Sequence, residues 1–223
     1  MDNNQIDQLI TDMAAKGRKA ARKLAALPTG VKNDILLDTA KILQEEKDFI
    51  RTENAKDLDA GKEKGLSSAL LDRLELSDKV IASMVQGLEE IAALPDPVGK
   101  VDDMKRRPSG ITVGRMRVPL GVVGMIYESR PNVTIDAAAL CLKAGNGVLL
   151  RGGSEAIHSN LALAGLLQKV LEAHSVPKEA VQVIPVTDRY GVNAMLAQEE
   201  FVDVIIPRGG EGLIRFVTEN SSI

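Results

Sequence analysis

"GVVGMIYESRPNVTIDAAALCLKAGNGVLLRGGSEA", residues 121–156, holds the reading that decides the fold. "GVVGMIY" is an unbroken apolar run of strand length, "TIDAAALCLKAG" has helical composition, and "VLLRGG" is a second apolar run closed by glycines. An apolar run without polar alternation is expected for a strand buried on both faces, and two such strands joined by a helix form a parallel pair. The pattern continues outward from there. "EAIHSNLALAGLLQKVLEA" predicts an amphipathic helix with Leu163, Leu166, Leu167, Val170 and Leu171 on its apolar side. "AVQVIPV" and "VDVIIP" read as strands, "RYGVNAMLAQE" and "EGLIRFVTEN" as helices. Repeated βαβ units place the chain in the α/β class with a parallel sheet.

Upstream, residues 4–94 read as helical. Ile6, Leu9, Ile10, Met13, Ala20, Leu24 and Leu27 recur every three or four positions before Pro28. A second stripe runs through Ile35, Thr39, Ile42, Leu43, Phe49 and Ile50, and a third through Val80, Ile81, Met84, Val85, Leu88 and Ile91. Gly61 and Gly65 interrupt the pattern, and Pro95 and Pro97 end it. Periodic apolar faces of this kind are packing features first. Residues 95–108 read as a polar connector, and "SGITVGRMRVPLG" as a strand or hairpin that carries Arg115 and Arg117 on an exposed face. An edge of that kind calls for a partner or a cover, so it is a candidate subunit contact.

Composition narrows the function. The 223 residues carry a net charge of −3, with 44% hydrophobic and 2% aromatic residues. That balance gives no bulk attraction to nucleic acid or anionic membrane, and no stacking platform for single strands. No apolar run approaches the ~20 residues of a membrane span. The polar, acidic start "MDNNQIDQLI" is unlike a secretory signal, and the single Cys141 fits a reducing compartment, so a cytoplasmic location is expected. His158 and His174, sixteen residues apart, match no metal-ligand spacing with Cys141, and no metal is expected.

Two short stretches repeat one design: "VLLRGGSEA" (148–156) and "IIPRGGEGL" (205–213) each end an apolar strand in Arg-Gly-Gly and lead into a helix. Ligands of open parallel sheets sit beyond the carboxyl ends of the strands. Glycine permits close backbone approach, a helix start offers free N–H groups, and arginine adds a bidentate donor for phosphate. The turns therefore suggest a dinucleotide or another phosphate-bearing guest, held at neighbouring strand tips. Either pair of glycines could equally be a plain turn. Their placement between strand and helix argues against an RNA-binding Arg-Gly-Gly box, which is a disordered repeat. The Gly-x-Gly-x-x-Gly fingerprint is missing, so a variant of the usual dinucleotide scheme is expected.

"VPLGVVGMIYESRPNVTIDAAALCLKAGNGVLLRGG" resembles the start of the cofactor domain in the aldehyde dehydrogenase superfamily. More narrowly, "YESRPNVT" with "LKAGNGVLLRGGSEA" and "IIPRGGEGLI" resembles the γ-glutamyl phosphate reductase family, and the resemblance extends over the whole chain. It implies an aldehyde-dehydrogenase-like α/β fold: N-terminal helices at 1–107, a strand or hairpin arm at 108–119 that would join subunits into a dimer, and a Rossmann-like cofactor region at 120–223. It further implies NADPH-dependent reduction of L-glutamyl 5-phosphate to L-glutamate 5-semialdehyde and phosphate in proline biosynthesis, through a cysteine thioester. Cys141, on an apolar helix, is a poor nucleophile, and the resemblance puts the reactive cysteine beyond Ile223, in a catalytic domain absent from these residues.

Carried over position by position, the resemblance places Arg151, Gly152, Gly153 and Ser154 at the adenosine end of the cofactor. Ser154 stands where NAD-using relatives carry a ribose-chelating glutamate; losing that carboxylate favours NADP(H), and Arg151 could pair with the 2′-phosphate. Arg208, Gly209 and Gly210 fall at the loop that faces the diphosphate, with Glu211 in the following first turn. Asn132 resembles the oxyanion donor, with helix N-capping as its equal alternative. Arg130 is a candidate for a substrate carboxylate or phosphate, with a structural salt bridge as its alternative. The reading from a different class is a non-catalytic nucleotide- or phosphate-binding or oligomerisation fragment.

Overall fold

A computed structural model describes residues 1–223. Its first helix, α1 (Asn3–Leu24), starts in a capping box: the Asp2 carboxylate accepts from the Gln5 amide at 2.8 Å, and Gln5 Oε1 accepts from the Asp2 amide at 3.0 Å. Four more helices follow: α2 (Thr29–Glu45), α3 (Lys47–Glu63), α4 (Ser68–Leu74) and α5 (Asp78–Ala93). Helices α2 and α5 pack along each other through Leu36, Ala40, Leu43, Ile81, Met84 and Leu88. Lys32, buried between them and the chain that follows, pairs with Asp96 at 2.6 Å.

The segment read as a polar connector contains a strand. β1 (Val101–Arg106) pairs antiparallel with β2 (Thr112–Met116), so the hairpin arm starts before residue 108. Almost every residue of this ribbon is exposed, and its register shifts between Asp102 and Lys105, with Asp103 at φ 55°. A strand that buries neither face needs no apolar alternation, which is why its charges concealed it.

The remaining elements are β3 (Val122–Tyr127), α6 (Val133–Lys143), β4 (Gly147–Arg151), α7 (Ile157–Ala173), β5 (Val181–Val183), α8 (Tyr190–Leu196), β6 (Val204–Arg208) and α9 (Glu211–Asn220). All four strands are parallel, in the order β5-β4-β3-β6. Val148 and Leu150 of β4 point into a core shared with α6 and α7, while Leu149 points into the opposite core with α1 and α8. The sheet is thus covered on both faces. The first helices pack behind α6 and α7, where Ile135, Ala139, Leu163 and Leu166 meet the α2–α5 cluster. No helix is long and apolar enough to cross a membrane.

The strand order corrects one expectation. The two Arg-Gly-Gly turns close β4 and β6, which are not neighbours: β3 lies between them. The chain winds from β3 through β4 to β5, then returns to add β6 on the other side of β3. This reversal of direction between β3 and β6 opens a crevice at their carboxyl ends.

Candidate functional site

The loop leaving β3, Glu128–Arg130, is the centre of that crevice. A cavity of about 810 Å³ runs from it along the β4 side, lined by Ser129, Arg151, Ser154, Arg189, Asn193 and Phe216 among others. Ser129 adopts a left-handed conformation (φ 40°) that is uncommon for a residue with a Cβ. It is held there by Glu155, whose carboxylate accepts from the Ser129 amide at 3.1 Å and from its hydroxyl at 2.5 Å. Backbone held in a sparsely populated region concentrates at ligand sites.

Arg151 is buried, with 8% of its surface exposed. Its guanidinium donates to three carbonyls, of Gly152 at 2.7 Å, Thr187 at 3.2 Å and Asp188 at 3.1 Å. Burial lowers its pKa, opposed by the charges of Glu155 and Asp188. Only its Nε is left buried without a partner. Arg151 therefore fastens the loop after β5 to the tip of β4. Gly152 is also explained by packing. A Cβ there would run into Asn160 and come within 3.0 Å of the Tyr127 ring. Both belong to a buried chain in which Tyr127 and Thr134 share a 2.7 Å hydrogen bond and Thr134 donates to Asn160 at 3.0 Å. Gly153 leaves room for the Glu155 carboxylate.

The helix starts differ from expectation as well. A 3-10 turn at Ser154–Ala156 precedes α7, and the first amides of α7 are already satisfied. Asp57 of α3, itself buried, accepts from the His158 amide at 3.1 Å, the Ser159 amide at 2.8 Å and the Ser159 hydroxyl at 2.6 Å. This helix end carries its own carboxylate and offers little to a phosphate. At α9 the Gly210 amide donates to Glu128 at 3.1 Å, but here the carboxylate is exposed and free to move aside. Ser154 is exposed and sits in a smaller recess with Lys64 and His158.

On the far side of Glu128 a second cavity, of about 420 Å³, is lined by Arg73, Ser129, Arg130, Arg208, Gly209 and Gly210. A third, of about 460 Å³, brings Arg73 and Arg130 to Asn132 and Asp136. Asn132 begins α6, but its side chain makes no capping bond; its Nδ2 donates to Asp136 at 3.0 Å. Asp136 is raised by burial, against the Asn132 hydrogen bond and the charge of Arg208. Arg130 is exposed and makes no salt bridge within these residues. Cys141 packs against the core, and burial pushes its thiol up to about 12. A thiol so placed stays protonated at neutral pH and is no nucleophile. Nowhere do three His, Cys, Asp or Glu side chains converge as a metal would require.

The crevice thus gathers Arg151, Gly153 and Ser154 on one side and Arg130, Arg208, Gly209 and Gly210 on the other, joined by Glu128 and Ser129. Asn132 stands in the adjoining third cavity. Glu128 and Ser129 lie inside "YESRPNVT" and Glu155 inside "VLLRGGSEA", yet none was singled out; a strand-end loop in a parallel sheet was signal enough for the first two. Asp57 and Arg73 had no local signal.

Comparison with known proteins agrees with this architecture. The aldehyde dehydrogenase family model matches residues 2–222. The chain is 58% identical over 218 residues to the γ-glutamyl phosphate reductase of Desulfatibacillum aliphaticivorans, covering 98% of this chain and 52% of that protein. The crystal structure of γ-glutamyl phosphate reductase from Thermotoga maritima superposes with a TM-score of 0.93 at 40% identity, covering 96% of this chain and 52% of that one. The Saccharomyces cerevisiae enzyme of the same name gives 0.87 at 32% identity, covering 95% and 54%. The chain spans about half the length of these relatives, and over that span it is similar to them in sequence and in fold. It belongs to the aldehyde dehydrogenase family.

Proposed function

We propose that these residues form the greater part of the cofactor site of a γ-glutamyl phosphate reductase, which reduces L-glutamyl 5-phosphate to L-glutamate 5-semialdehyde and phosphate with NADPH. The reaction belongs to proline biosynthesis and takes place in the cytoplasm. The observation that carries this reading is the crevice where the strand order reverses, with an 810 Å³ cavity between the tip of β4 and the start of α9.

The residues fit a phosphorylated nicotinamide cofactor. Ser154 brings no carboxylate against a 2′-phosphate; Lys64 and His158 share its recess, whose two carboxylates, Asp57 and Glu155, are engaged with backbone amides and the hydroxyls of Ser159 and Ser129. Gly209 and Gly210 lie where the Glu128 carboxylate can give way to a diphosphate. Arg151 acts here as a positioning residue, because its guanidinium is spent on the 187–188 carbonyls. When bound, the nicotinamide supplies the hydride. Arg130 holds an anionic group of the substrate, and Asn132 donates to the developing oxyanion through the amide N–H that Asp136 leaves free. The thiolate that carries the acyl group is not Cys141; it belongs to the part of the relatives that this chain does not cover. The β1–β2 hairpin joins two copies, a role supported by the exposure of Met104, Ile111 and Met116 on a ribbon that no other element of these residues covers.

Cofactor fluorescence titrations of this chain test the reading. NADPH is expected to bind about tenfold more tightly than NADH, and Ser154→Glu to erase the difference by placing a carboxylate against the 2′-phosphate. Equal affinity for the two, or no binding of either, overturns it.

A further inference from the structure

Arg73 near the end of α4, Arg130 in the loop after β3 and Arg208 at the tip of β6 converge on the 420 Å³ cavity. None of the three guanidinium groups makes a side-chain hydrogen bond or a salt bridge. Elsewhere the chain does pair such groups: Arg18 with Asp203, Arg51 with Asp78, and Arg215 with Glu211. The carboxylate on this cavity, Glu128, is engaged with the Gly210 amide. Arg73 is not there by chance of a loose helix. The buried Asn54 donates to the Leu74 carbonyl at 2.9 Å and accepts from the Leu76 amide at 2.9 Å, which fixes the end of α4 beside the cavity. The field of Arg208 reaches Asp136, which lines the adjoining cavity with Arg73 and Arg130.

We propose that Arg73, Arg130 and Arg208 together form a binding basin for the phosphoryl group of an acyl phosphate substrate, and for the phosphate it releases. The inference rests on the reading of the chain as part of an acyl phosphate reductase. It adds Arg73 and moves Arg208 from the cofactor to the substrate, with Gly209 and Gly210, which line the same cavity, as the border between the substrate phosphoryl and the cofactor diphosphate. A carboxylate offers two coplanar oxygens, which one guanidinium fork satisfies; a phosphoryl dianion offers three oxygens in different directions and a charge that several cations can share. Three unpaired guanidinium groups also repel one another, and a dianion between them turns that repulsion into attraction.

Calorimetric titration of this chain with inorganic phosphate, at low and at high sodium chloride, is the test. Saturable binding that weakens with salt is expected, and Arg73→Ala and Arg208→Ala should each weaken it about tenfold, with Arg73→Lys recovering part of the loss. NADPH affinity, measured on the same samples, should be unchanged by Arg73→Ala. Circular dichroism checks that each variant is folded, and Arg73→Gln replaces Arg73→Ala if it is not. Phosphate binding with this arginine dependence supports the basin even if NADPH fails to bind, which would sink only the cofactor reading. The basin is overturned if phosphate does not bind, or if the variants leave its binding unchanged. It is also overturned if NADPH displaces phosphate, because the arginines would then serve the cofactor diphosphate.

Discussion

The two Arg-Gly-Gly turns have the same three residues, and each stands between a parallel strand and a helix, yet they have become different objects. Arg151 closes β4, an interior strand with neighbours on both sides, and its side chain is buried on three carbonyls. Arg208 closes β6, the outermost of the four strands in these residues, and is exposed without a partner among them. The first glycine of each turn is crowded, but Gly152 faces the buried Tyr127 ring and Asn160, whereas Gly209 faces Leu213 and the exposed Glu128 carboxylate, which can swing into solvent. A motif at a strand tip acquires its role from the strand's place in the sheet. At β4, between two strands, protein groups claim its donors; at β6 they remain open among these residues.

Substitutions at matched positions can break this contrast. The largest effect is expected from Arg151→Ala, which leaves three carbonyls without their donor and opens a void where the side chain was. The loss should be about 2–4 kcal/mol, lowering Tm by roughly 5–12 °C in thermal melts. The orphaned Nε offsets a little of it, because that cost disappears with the side chain. Next comes Gly152→Ala. Tyr127 and Asn160 are both buried and cannot swing away, so overpacking should cost about 1–3 kcal/mol by urea denaturation. Smallest is Arg208→Ala, expected to stay within about 0.5 kcal/mol of the parent chain. Should Arg208→Ala destabilise the fold as much as Arg151→Ala, the division of labour between the turns is wrong.

What was legible in the sequence follows the same physical line. β3, β4 and the helices that cover them announced themselves because burial on both faces leaves an unbroken apolar run, as in Val148–Leu150. β1 did not, because Asp102, Asp103 and Lys105 sit on a ribbon that buries nothing. The placement of both turns at the carboxyl ends of parallel strands was legible from strand-turn-helix order alone. Their order across the sheet was not, since nothing local says that β6 returns to the far side of β3. The same holds for partners: the carbonyls that occupy Arg151 lie 36 and 37 residues away, and Arg73 reaches the crevice only through tertiary packing. Residue types that bind phosphate could be picked out; which of them were already taken could not.

The carboxylate of Asp57 carries a last consequence. It reaches from α3 across 101 and 102 residues of chain to close the first turn of α7, while Asn54, one turn earlier, bonds to Ser159 at 3.0 Å. The leading helices are therefore welded to the sheet layer at its most sensitive joint rather than hung beside it. Heat or denaturant should find no seam there at which to peel one from the other.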